Sequence, residues 1–454
     1  MPNMPKIKAF TNVSVDVLKA IRNSATQNYK NYVPKATEDA DVIRTIGSIL
    51  MDYPALRNEF ITALVNRIAR VIITSKMYSN PWSALKKGEL EYGETVEEIF
   101  VNIAKAHQFD QEVAEAEVFK REIPDVKAAF HVMNFQKFYK TTITEPMLKQ
   151  AFVSIDGVQD LISRIVNSLY SGANYDEFLV MKYMLALHIM NGHLYPIKID
   201  TPTQDNAREV TTTILGESNA LTFMTSDKNI AGVETYTPKE SQYLILNSKF
   251  AALMNVNVDA TSFNQDYVQF MGRTILVDSF GSLDIERLNQ LLGQNPGYHE
   301  FSSDELSALD AVPGVLVDRD FFMIFDNYQY YTENYNGQGL YWNEFWHVGK
   351  TFSVSPYANA IVFTPVTPAV TAVSVNPSAV TLAKGQKYTM LASVTAVGFA
   401  SHAVNWSVNS DHATIDSDGN ITITNNATSN EKITVTATSV YSPTVKGTAT
   451  ITVS

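Results

Sequence analysis

Eight histidines and no cysteine leave few residue types with which this 454-residue chain can do metal or nucleophile chemistry. His188 and His193 stand five apart with Gly192 between them. A helix aims two ligands at one metal from positions i and i+4, so a pair of helix-end histidines is the better reading. Asp318 and Asp320 form an Asp-x-Asp that can hold a divalent ion in a sugar transferase, yet no nucleotide-binding half precedes them. Asp416, Asp418 and Asn420 have the look of calcium ligands, but such a loop needs six or more oxygens and a hairpin turn favours the same residues. The carboxylates between Glu89 and Asp125 lie on a polar segment with no aromatic cleft to raise one pKa, so they read as a solvated face and not an acid–base pair. Trp82, Lys86 and Lys87 are too few for a phosphate-binding stripe. Glycine-rich phosphate loops, Gly-x-Ser-x-Gly and His-Glu-x-x-His are absent, and the lack of Cys excludes disulfides, thiolate catalysis and Cys-ligated zinc. No catalytic residue, cofactor site or metal site is expected, and the chain does not read as an enzyme.

The elements that would have to position such a site point elsewhere. The net charge of −12 lies wholly in residues 1–365, because Lys384, Lys387, Lys432 and Lys446 cancel Asp411, Asp416, Asp418 and Glu431 in the remainder. An acidic body does not seek out nucleic acid. Met1 to Ala20 holds no apolar run, so a secretory leader is not expected. The longest apolar stretch, Leu179–Met190, is 12 residues broken by Lys182 and His188, short of the ~20 that span a bilayer. No membrane insertion follows.

Val13, Val17 and Ile21 share a helix face that Ser14 can cap, and the N-terminus reads as an arm ending at Pro34. Leu56, Phe60, Leu64 and Ile68 repeat every four residues before a β-branched Val71–Thr74. Residues 82–125 carry eleven acids and thin apolar cover. Glu89–Tyr92 and Ile99–Ile103 flank Gly93 as a two-stranded hairpin, and Asp110–Glu122 follows as a helix. An isolated hairpin is marginal in water, so this one folds back on its own domain or lies on another molecule. Val158, Leu161, Ile162, Ile165, Val166 and Leu169 make a helix closed by Gly172, and a second, with Asn174, Asp176 and Glu177 suited to its positive end, carries Phe178, Met181, Leu185 and Ile189 and runs to Gly192. From Tyr195 to Pro313 the pattern is α+β, with strands at Tyr243–Leu246, Thr274–Val277 and Val315–Val317 and helices at Ser262–Phe270 and Leu283–Leu292. Residues 321–346 hold eleven aromatics, a density that belongs in a core or an interface.

Residues 366–454 are a different polymer, with 16 Thr and 13 Val in alternating runs such as Ile421-Thr422-Ile423-Thr424 and Ile433-Thr434-Val435-Thr436-Ala437. They read as an antiparallel sandwich. Val373-Ser374-Val375-Asn376-Pro377, Leu382-Ala383-Lys384-Gly385, Val404-Asn405-Trp406-Ser407-Val408 and Asp416-Ser417-Asp418-Gly419-Asn420 resemble, in order, a group 2 bacterial immunoglobulin-like domain. The resemblance makes Trp406 the aromatic packed between its sheets.

In the body, Lys30-Asn31-Tyr32-Val33-Pro34, Lys86-Lys87-Gly88-Glu89, Thr95-Val96-Glu97-Glu98-Ile99-Phe100 and Gly339-Leu340-Tyr341-Trp342-Asn343 resemble the major capsid proteins of the small short-tailed phi-29-like bacteriophages. That resemblance implies the Hong Kong-97 phage capsid fold, an α+β body over 1–365. Its parts would be an N-terminal arm (1–50), an extended loop (75–125), a peripheral domain with a spine helix (145–192 plus 331–365) and an axial domain (195–330), followed by the immunoglobulin-like domain (366–454). It also implies copies meeting through the extended loop, at Lys86, Lys87, Glu89, Glu91, Glu94, Glu97 and Glu98, to build hexamers and pentamers of an icosahedral shell. The implied partners are a scaffolding protein, a portal and packaged double-stranded DNA bound without sequence specificity, in a virion assembled in the bacterial host cytoplasm. Host-surface glycans are a further candidate partner for the terminal domain. A bacterial surface adhesin or carbohydrate-binding protein displaying the immunoglobulin-like module is the competing class.

Overall fold

The computed structural model describes residues 13–71, 78–90, 95–104, 106–107, 121, 123–152, 157–258 and 273–454. The expected helices at Asp110–Glu122 and Ser262–Phe270 lie outside them, apart from Arg121, as does the expected strand at Val71–Thr74, apart from Val71.

Residues 13–71, expected as an arm through residue 50, form four helices: Val13–Ser24, Gln27–Tyr32, Ala40–Asp52 and Pro54–Val71. Thr26 and Asp39 cap the second and third by accepting from Tyr29 and Asp41 backbone N–H groups. The helical spacing of Val17, Ile21, Ile43, Ile46, Leu50 and Phe60 buries all six in one core, shared with Leu161, Ile165 and Leu169 of a longer helix. Gly47 is small because a Cβ there would meet the Phe152 side chain at 2.4 Å.

That longer helix, Gly157–Met190, is a single rod of 34 residues, about 50 Å at 1.5 Å per residue, where two helices were expected. Gly172 does not end it. A mid-helix glycine costs only ~1 kcal/mol, and burial at both ends of the rod outweighs that. Asp176 and Glu177, read from sequence as helix-start charges, are buried partners of distant cations instead. Gly192, at φ +65°, closes the rod.

Two sheets flank it. The first runs in the order Gly88–Glu89, Phe322–Asn336, Tyr341–Val354, Phe135–Thr144, and its aromatic hairpin lays Trp346 against Tyr170 of the rod at 4.7 Å. The second runs Tyr195–Lys198, Ala360–Thr364, Gly314–Asp318, Gln242–Asn247, Thr274–Val277. Residues 360–364 thus belong to this sheet, while 341–354 belong to the first. Val315, Val317 and Val362 face the rod's core, while Leu316, Ile361 and Phe363 face helices Ala207–Ala220 and Ser248–Val258. A strand covered on both sides must be apolar throughout.

The terminal strands form their own sandwich around Ile421, Ile433, Val435, Ile451 and Val453. Trp406 is half-buried at its margin, where Gly419 leaves room for the indole: a Cβ there would sit 3.1 Å from the ring. Residues 365–368, which join the two units, do not hold this sandwich away from the body. Gly398 and Phe399, both with positive φ, form a tip whose Phe399 ring is buried in the body's core. Gly192 meets the next residues so closely that a Cβ there would lie 2.5 Å from the Ala400 carbonyl oxygen.

Candidate assembly interface

Ile99, Phe100 and Val101 lie in a hairpin strand, but Glu89, expected in its partner, is not paired with them, and Glu91 and Tyr92 lie outside the described residues. Thr95–Val101 pairs antiparallel with Val126–Val132, whereas Gly88–Glu89 joins the first sheet parallel to Phe325–Asp326. Gly88 adopts φ +109°, which a side chain would strain.

Period-two alternation divides the hairpin into two unlike faces. On the inner face Glu98 Oε2 lies 3.1 Å from His131 Nε2, His131 Nδ1 lies 2.8 Å from Ser353 Oγ, and Ser355 donates to Glu98 Oε1 at 2.7 Å. Phe100 stacks on Tyr357 at 5.4 Å, and Lys127 donates to the Ala231 carbonyl. The outer face is apolar and open to solvent: Ile99 is 60% exposed, Phe130 63%, and Val101, Val126 and Val132 just over half. Glu97 is the lone charge among them, opposite Phe130. The outer face of the first sheet adds Phe138, 58% exposed, packed against Phe345 and His347, and Tyr330, 63% exposed, stacked on Tyr328. Apolar side chains of this size stabilise by about 1.5–3 kcal/mol each when fully covered, and contiguous patches of them mark interaction sites.

The hairpin's root is fixed. Two ammonium groups, Lys86 and Lys350, meet two carboxylates, Glu177 of the rod and Asp326 of the sheet, in a buried quartet. Lys86 Nζ lies 2.9 Å from Glu177 and 2.6 Å from Asp326, and Asn80 donates to Glu177 at 2.6 Å. Burial alone would raise both carboxyl pKa values, but Lys350 and then Lys86 overcome it and hold both below the ordinary range. Charges this deep persist only when paired.

The expected contact residues therefore divide. Lys86 points inward to the quartet, Lys87 pairs with Asp320, and Glu98 faces its own body. Glu89 and Glu97 are exposed, while Glu91 and Glu94 lie outside the described residues. Sequence reading missed Val126, Phe130 and Val132, although the alternation Val126-Lys127-Ala128-Ala129-Phe130-His131-Val132 carries the signal. Asp318 accepts from Thr237 Oγ1 at 2.6 Å and from the Asp320 backbone N–H, and burial raises its pKa. Among the described residues no three His or carboxylate groups converge on a metal position, and no helix is long and apolar enough to cross a membrane.

Comparison with known proteins matches residues 18–364 to the Phi29-like phage major capsid protein family and residues 369–453 to the bacterial Ig-like domain (group 2). The major capsid protein of Bacillus phage B103 is 35% identical over 433 residues, covering 94% of this chain and 90% of that protein. That of Streptococcus phage Cp-1 is 27% identical over 350 residues, 74% of this chain and 94% of that protein. Among solved structures, the capsid of Staphylococcus phage Andhra superposes with a TM-score of 0.50 at 13% identity, over 65% of this chain and 86% of that one.

Proposed function

This chain belongs to the Phi29-like phage major capsid protein family, and from that premise, a tailed-phage capsid protein of Hong Kong-97-type fold that assembles into the shell of a virion, we propose how its copies meet. The outer face of the Thr95–Val101/Val126–Val132 hairpin is the adhesive surface, and a neighbouring copy covers it. The observation that carries this reading is the inversion of the hairpin: Glu98, Lys127 and His131 face its own body, while Ile99, Val101, Val126, Phe130 and Val132 face solvent with Glu97 as the one charge among them. A hairpin so built is stable on a second molecule and wasteful alone. The rigid root at Lys86, Lys350, Glu177 and Asp326 holds the ribbon at a set angle while the neighbour closes over it.

In this reading the rod and first sheet are the peripheral domain, the second sheet with its helices is the axial domain, and copies gather as hexamers and pentamers of an icosahedral head. The work is mechanical and needs no catalytic residue. Assembly in the bacterial cytoplasm around a scaffolding protein, a portal at one vertex and double-stranded DNA within complete the proposal. The body's net charge of −12 supports it, since a shell wall of that sign leaves DNA free to move in and out. The terminal domain braces the protomer through Phe399; contact with host-surface glycans would be a separate role. Expression with a scaffold partner tests the reading: electron microscopy is expected to show closed shells, and small oligomers alone contradict it. Deleting residues 366–454 separates the two roles, because bracing predicts weaker heads with unchanged adsorption and glycan contact predicts the reverse.

A further inference from the structure

The seam between body and terminal domain is built around histidines that the capsid reading does not use. His188, in the last turn of the rod, and His193, just past Gly192, face each other through their Nδ1 atoms at 2.7 Å. One nitrogen must donate and the other accept, so the pair has room for one proton between them and none for two. Gly192, whose Cα carries the contact with Ala400 and Ser401, lies next to His193 in the chain. The terminal domain brings His402 toward the pair, and the Phe321 ring closes the inner side of His188. Across an adjoining cavity of about 570 Å³, lined from the body by Leu187 and Met190 and from the terminal domain by Phe399 and His402, stand His299 and Glu305, bound to each other at 2.9 Å.

We propose that this seam is a proton-operated latch: a second proton on the facing His188–His193 pair drives the rings apart, displaces Gly192 from Ala400 and frees the Phe399 tip from the body. The docked state resists that proton. Burial and then His193 lower the pKa of His188 to about 4, and burial and then His402 lower that of His193. Undocked, both rings return toward the ordinary 6.5. Docking is therefore fully favoured above that value and weakens as pH falls from it toward about 4, by up to roughly tenfold per pH unit for each proton taken up. Glu305 is committed to His299 and to the Ser302 cap, which leaves it poorly placed to neutralise the pair.

The absence of native cysteine makes the test clean. Gln290→Cys in the body and Asp411→Cys in the terminal domain, both exposed, carry a donor–acceptor dye pair in the full chain. Energy transfer is expected to fall between pH 6.5 and 4 while the far-ultraviolet helical signal holds. His193→Gln is expected to lower the midpoint by at least one pH unit. Gly192→Ala, whose Cβ meets the Ala400 carbonyl, supplies an undocked reference with low transfer already at neutral pH. Constant transfer down to pH 4, a fall that coincides with helix loss, or an unshifted midpoint in His193→Gln each overturns the latch.

Discussion

Two antiparallel ribbons in this molecule use the same alternation in opposite senses. In the terminal domain, Lys432–Ser439 and Lys446–Val453 turn Ile433, Val435, Ala437, Ala449, Ile451 and Val453 inward, all at 2% exposure or less. In the body, Thr95–Val101 and Val126–Val132 turn Glu98, Lys127 and His131 inward and Ile99, Phe130 and Val132 outward. The first ribbon completes its own core. The second has polar groups where its protomer can bond them and apolar groups where only another molecule can cover them. Period alone shows that a strand has two faces; which face is inside depends on how many copies are counted.

The strongest way to break this contrast is to charge the outer face of the body ribbon. Ile99→Asp with Phe130→Asp is expected to cut shell yield at least tenfold on electron microscopy while the soluble protomer keeps its helical signal; shells at ordinary yield refute the proposed interface. Next in size is the root. Lys350→Met leaves Glu177 and Asp326 with one cation between them, and such a loss in a buried network costs about 3–5 kcal/mol, to be read by denaturant unfolding. Ile451→Ala probes the self-sufficient ribbon. It should cost about 2–5 kcal/mol in the terminal domain's own transition and leave shell assembly intact, and coupled loss of shells would erase the distinction drawn here.

The smallest effect is a pH dependence in the first sheet. Burial raises the Glu344 carboxyl to about 7, although the Tyr331 hydroxyl donates to it and pulls the other way. A raised folded-state value means that its contribution is whole below the ordinary 4.5 and is lost as pH climbs through about 7. Glu344→Gln should therefore gain on the unmodified protein between pH 5 and 8, by ~2 °C in Tm. A gap that stays constant with pH assigns Glu344 no such role.

Much of this was legible from residue order. Thr274–Val277 is a strand at the expected bounds, Tyr243–Leu246 and Val315–Val317 fall one residue short of theirs at each end, and the Thr/Val-rich tail is a sandwich. Motif strings reached the capsid family where residue chemistry alone found only an absence of sites. The misreadings share a cause: each turned on a partner distant in the chain. Gly172 looked like a helix stop because Tyr139, whose ring its missing Cβ would touch at 3.5 Å, lies 33 positions upstream. Asp176 and Glu177 looked like helix-start charges because Arg287 and Lys350 are more than a hundred residues away. The pairing of Lys86 with Asp326 inside the protomer was hidden in the same way, since 240 positions separate them. Trp406, which the resemblance packs between the sheets, is half-buried against the sandwich core with Gly419 making room beside its ring.

The central claim is that a neighbouring copy covers the outer face of the hairpin, and a single thiol measures that cover directly. Phe130→Cys in this cysteine-free chain should react rapidly with a soluble alkylating reagent in free protomers and at least tenfold more slowly in assembled shells, while Thr448→Cys on the terminal domain reacts alike in both. Equal reactivity of Phe130→Cys in protomer and shell would contradict the account.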